Sequence, residues 1–124
     1  LHVPIGPVLA SRYCRTMETA RLLGVEPEAA DDLTPRPDTG EKGRADALRA
    51  RLRQTPPART NTLIVAHGGI MMAVEGMQPD EGEALIFVPA HDTEPHHYVA
   101  RMKLDEWAGL AARLAPIADS GPSR

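Results

Sequence analysis

Two turns in this 124-residue chain carry side chains able to handle a tetrahedral anion. In one, His67-Gly68-Gly69 follows the apolar run Thr62-Leu63-Ile64-Val65-Ala66. The glycines remove side chains where a helix is expected to start, leaving its first N–H groups and positive dipole end open to an anion. An imidazole at that point can donate to a phosphoryl oxygen or carry a proton. In the other turn, Ser11-Arg12-Tyr13-Cys14-Arg15-Thr16 follows Pro7-Val8-Leu9-Ala10. The guanidinium of Arg15 can fork onto the same oxyanion, and Ser11 is expected to cap the helix that begins there.

These turns need strands behind them and helices ahead of them. Val8 to Ala10 and Thr62 to Ala66 read as buried strands, because both are uncharged and the second is rich in β-branched residues. Tyr13, Met17 and Ala20 recur at helical spacing until Gly24, and Ile70, Met71, Val74 and Met77 do so until about Gly76. Residues 25–43 turn to Pro, Asp, Glu, Thr and Gly, which predicts a long loop. Ala45, Leu48 and Leu52 form the inner stripe of another helix, with Arg44, Arg49, Arg51 and Arg53 on a solvated outer face. Ala84 to Val88 and His97 to Arg101 read as strands, and Asp105 caps a last helix packed through Trp107, Leu110, Ala111 and Leu114. The pattern predicts an α/β fold: a mostly parallel sheet flanked by helices as a three-layer sandwich, with an antiparallel strand at its edge. Residues 1–115 form its single domain and 116–124 a flexible tail.

Composition narrows the class. A formal charge of −3, from 14 Lys and Arg against 17 Asp and Glu, gives no overall attraction to nucleic acid or anionic lipid. No stretch reaches the length of a membrane span. Cys14 is the only cysteine, which rules out an internal disulfide and a Cys-rich zinc site. Nor does it open a C-x5-R phosphate loop, since Ala20 stands where the arginine is required, and it reads as a small apolar filler. His91, Asp92, Glu94, His96 and His97 crowd seven positions, but Pro89 and Pro95 make that a solvated turn rather than a metal site.

Ser11-Arg12-Tyr13-Cys14-Arg15-Thr16-Met17-Glu18-Thr19-Ala20 matches the S-x-x-x-R-x-x-x-T-A segment of the histidine phosphatase superfamily, and Leu63-Ile64-Val65-Ala66-His67-Gly68-Gly69 matches its second-histidine strand. With both motifs in order, the chain resembles that superfamily, the group of the phosphoglycerate mutases, and its small bacterial members in particular. The resemblance implies a phosphoglycerate mutase-like sandwich and a metal-independent phosphatase without cofactor. Arg15 and His67 become the catalytic phosphate-holding pair, with Ser11, Gly68 and Gly69 binding substrate. The family's nucleophile is a histidine in an Arg-His-Gly motif ending a central first strand; His2 does not supply it, so the chain is expected to be an N-terminally incomplete member. Without that strand its neighbours require a further segment, a partner chain or rearranged pairing to satisfy their backbones. The general acid stays open among Asp31, Asp32, Asp38, Glu41 and, more weakly, Glu83. The partner implied is a small phosphorylated substrate or phosphate ion, with a homodimer open; the cytoplasm is the default compartment and the periplasm stays open. The alternative is a non-catalytic domain that keeps the phosphate pocket without the nucleophile.

Overall fold

The computed structural model describes residues 3–35, 40–90 and 95–119, with side chains to residue 113. His2, Asp38, His91, Asp92, Glu94 and the last residues of the expected tail, 120–124, lie outside the described residues.

Strand β1 (Ile5–Ala10) leads through helix α1 (Cys14–Leu22) to the short strand β2 (Glu28–Ala29). Helix α2 (Glu41–Leu52), strand β3 (Asn61–Val65) and helix α3 (Gly68–Glu75) follow. The three strands form a parallel sheet in the order β2-β1-β3. Pro7 has no N–H to give the ladder, and the β1–β3 register slips between Ile5 and Val8. Beyond it, Val8, Leu9 and Ala10 pair with Leu63, Ile64 and Val65. Strands β1 and β3 are thus direct hydrogen-bonded neighbours.

Because β1 is central, the chain departs to β2 on one side and returns as β3 on the other. That reversal opens a crevice at the carboxyl ends of β1 and β3, where side chains of the two following turns converge. Main-chain bonds hold the ends together: Ser11 N donates to Val65 O (3.2 Å), and Ala30 N to Ala10 O (2.7 Å).

The core lies between the sheet and the pair α2–α3. Leu33 is fully buried and clusters with Ala30, Leu48 and Ile70, while Leu9, Ile64 and Ala66 add apolar surface from the strands and the turn after β3. Val8 and Ala10, alternating with Leu9, point to the opposite face and are also buried. Helix α1 packs against both β1 and β3 through a stripe that buries Thr16 and Ala20.

Several expectations change. Residues 25–43 are not a plain loop, since they contain β2, a 3-10 turn at Asp31–Leu33 and the start of α2. Two strand residues are too few to give a periodic signal. The outer face of α2 is not simply solvated: Arg49 donates to Ala73 O (2.9 Å) at the end of α3, and Arg51 pairs with Asp32 (2.9 Å). Strands β4 (Ala84–Val88) and β5 (His97–Met102) are antiparallel, but they form their own two-stranded sheet rather than an edge of the parallel one. The last helix, α4 (Leu104–Asp119), starts one residue before Asp105 and continues past residue 116, so it takes up the first part of the expected tail. No helix among the described residues is long and apolar enough to cross a membrane.

Candidate functional site

His67 is the first non-helical residue before α3, extended at φ −117°, ψ 144°, two residues beyond the end of β3. This posture aims its half-buried ring across the crevice to the turn after β1. Ser11 Oγ lies 2.7 Å from His67 Nε2, and Arg15 Nη2 lies 3.3 Å from His67 Nδ1. The two distant turns therefore meet at one imidazole, with each nitrogen facing a different partner.

The surroundings are built by α1. The Tyr13 ring meets the His67 ring edge to face at 5.0 Å, and the Arg15 guanidinium sits 4.9 Å from the centre of the Tyr13 ring. That stack holds the flexible arginine toward the crevice. Ser11 is entirely buried, and its hydroxyl is 2.7 Å from Thr16 Oγ1 as well as from the histidine. The expected cap role falls away: Tyr13 occupies the N-cap of α1, and no side chain caps it. The Ser11 hydroxyl is spent inside the protein.

Burial, reinforced by the charges of Arg15 and Arg44, holds the His67 pKa below its ordinary value. The ring is therefore neutral in a positively charged corner of a chain that is acidic overall. Such a corner attracts an anion locally.

Gly68 and Gly69 open α3, so their N–H groups belong to the helix terminus that has no intrahelical partners. Neither has a positive φ, so the turn does not demand glycine on conformational grounds. A Cβ at Gly68 would meet the Gln78 amide at 2.7 Å, whereas at Gly69 it would meet nothing within 4 Å. Gly69 is exposed, with open space beside it.

The described acid candidates, Asp31, Asp32, Glu41 and Glu83, are paired or line another part of the surface. Asp31 pairs with Arg12, and Asp32 with Arg51. Glu83 is bound in bidentate fashion by Arg101 (2.6 Å to each oxygen), which pulls its carboxyl down to about 2. Glu41 lines a shallow depression with Lys42, Ala45, Asp46, Arg49 and Ala73. Of the crowded acidic and histidine stretch, His96 bonds Glu75 (2.5 Å), and no three metal-ligating side chains gather among the described residues. Cys14 is exposed at the start of α1 and fills no core space.

Sequence reasoning missed Tyr13, Thr16 and Arg44 as parts of this site. Tyr13 read as a helix-face apolar residue, and Ser11 to Thr16 is a spacing of five, which matches no helical pair. Arg44 read as solvated because only the fold brings α2 toward His67. The loop after β2 is also tied here: Arg12 N donates to Thr34 Oγ1 (2.9 Å), and Tyr13 Oη to Pro35 O (3.3 Å).

Fold and site together define an α/β chain with a cationic, imidazole-bearing crevice at a sheet switch point. No protein-family model matches the chain, and no curated protein or solved structure matches it either.

Proposed function

We propose that this chain belongs to the histidine phosphatase superfamily, that its sheet is part of a phosphoglycerate mutase-like sandwich, and that the intact protein hydrolyses a phosphomonoester. One observation carries the reading: Arg15 and His67, 52 residues apart, converge at 3.3 Å in the switch-point crevice. In this scheme the guanidinium of Arg15 forks onto two oxygens of the phosphoryl group, and His67 and the first N–H groups of α3 take up the remaining charge. The acceptor is a histidine in an Arg-His-Gly segment ahead of this chain. Its ring nitrogen forms the P–N bond as the ester P–O bond breaks, and the leaving alkoxide takes a proton from solvent; water then attacks phosphorus and cleaves P–N, releasing inorganic phosphate and the free imidazole and returning a proton to solvent. Ser11 supports His67 rather than touching substrate.

The test has two arms. This chain binds inorganic phosphate or vanadate, followed by chemical-shift changes at the Arg15 side chain and His67. The full-length protein hydrolyses p-nitrophenyl phosphate, and Arg15→Ala or His67→Ala lowers kcat/KM by about a hundred- to a thousandfold. Phosphate binding without turnover in the full-length protein replaces the phosphatase with the non-catalytic binding domain. Equal rates in wild type and His67→Ala end the catalytic assignment.

A further inference from the structure

The proton inventory around His67 has a single consistent solution, and it starts from Arg15. A guanidinium has donors only, so the nitrogen facing it must offer a lone pair. That nitrogen is Nδ1, at 3.3 Å from Arg15 Nη2. A neutral ring with a bare Nδ1 carries its hydrogen on Nε2, which therefore donates to Ser11 Oγ at 2.7 Å. Having accepted there, the Ser11 hydroxyl sends its own hydrogen to Thr16 Oγ1, also at 2.7 Å. Thr16 in turn donates to a main-chain carbonyl, with Tyr13 O at 2.8 Å and Ser11 O at 2.9 Å. The reverse direction sets an N–H of His67 against an N–H of Arg15 and fails.

We infer that Ser11 and Thr16 form a one-way hydroxyl relay that keeps His67 protonated on Nε2, so that Nδ1 exchanges Arg15 for an incoming oxyanion and takes up a proton as it does. The exchange rests on the phosphate reading above; the relay stands on the free protein alone. When a dianion enters, Arg15 turns to it and leaves Nδ1 without a donor. Nδ1 can bond the anion only as an N–H, so one proton moves from solvent to the ring, giving an imidazolium with Nε2 still held by Ser11. The anion's charge offsets Arg15 and Arg44, the cations that oppose that proton in the empty site. Among the described residues, the Tyr13 ring also borders the imidazole, edge to face. Ser11 and Thr16 are thus positioning residues, acting through His67.

Ring nitrogen NMR of the 15N-labelled chain tests the relay, with His67 assigned through its contact with the Tyr13 ring. At pH 8 the free wild type and Thr16→Ser show a single Nε2–H tautomer; Thr16→Val and Ser11→Ala show a mixture. A merely structural role would lower stability and leave the tautomer alone. An Nδ1–H ring in wild type overturns the relay, as does an unmixed Nε2–H ring in both folded variants; the wild-type spectrum decides even if the variants do not fold. Sulfate, which does not titrate in this range, tests the exchange. Its affinity falls about tenfold per pH unit above the His67 titration, and Nδ1 gains a hydrogen on binding. Sulfate affinity that is flat with pH overturns the exchange alone. No binding of sulfate or phosphate overturns the exchange together with the phosphate reading, while the free-protein tautomer still judges the relay.

Discussion

At the scale of single residues, the site is a contest over the charge of one imidazole. His67 lies half-buried between a buried hydroxyl and a guanidinium, and both its desolvation and its cationic neighbours favour the neutral ring. Folding therefore disfavours its protonation, and acid acts against the fold. The unfolded chain binds the proton near 6.5 and the folded chain only at lower pH, so stability is full above 6.5 and falls as pH drops through the folded value. His67→Gln is expected to flatten the fall of Tm as pH drops below about 6.5. An unchanged slope would remove His67 from the acid response. Glu83 is also shifted downward, but in its case the charged form is the favoured one. Held at about 2 by Arg101, it stays ionised across the neutral range and is unsuited to protonate a leaving group there.

Elements decide whether those residues meet. Helix α3 begins at Gly68, and it ends at Gly76, whose φ of +67° gives the left-handed cap that glycine tolerates best. Gly69, in contrast, sits in ordinary helical backbone with open space beside it. Gly69→Ala is expected to stabilise the protein by up to about 1 kcal/mol, through lower backbone entropy in the unfolded chain. The same methyl would crowd the first turn of α3, whose N–H groups face the anion in the proposed scheme, so phosphate affinity should fall. Thermal melts and phosphate titrations of the one variant read both effects. A rise in stability with unaltered affinity would show that the space beside Gly69 is not where the anion sits.

On the scale of the whole molecule, two parts differ in how firmly they are held. The parallel sheet has helices against it and encloses the cluster around Leu33. The β4–β5 hairpin is a two-stranded ribbon with Ile86, Val88 and Val99 exposed, and such ribbons are marginal alone. A bond from His96 to Glu75, at 2.5 Å, ties its β5 end to the end of α3. Amide exchange should therefore be faster in β4 and β5 than in β1 and β3. Glu75→Gln should weaken hairpin protection further, by about 1 kcal/mol or less, with little change at β1. Equal protection in both sheets would mean that one cooperative unit spans the molecule.

Much of this arrangement is legible along the chain, because it depends on neighbours in sequence. The apolar runs before Ser11 and His67, the helical spacing after them and the glycine stops specify β1, β3, α1 and α3 through local side-chain pattern. The same pattern marks Arg15 and His67 as chemistry-bearing residues at strand ends. Strand partners, by contrast, are long-range facts. That β1 pairs directly with β3, that β2 joins the sheet, and that β4 and β5 stand apart all depend on which backbone edges meet. So does the commitment of the Ser11 hydroxyl. A serine at a turn is locally suited to cap a helix, and only the packing of β1 beside β3 brings an imidazole within 2.7 Å to claim it. Residue types set which hydrogen bonds are available; the tertiary fold selects among them, because a buried donor or acceptor must take the partner that folding puts within reach.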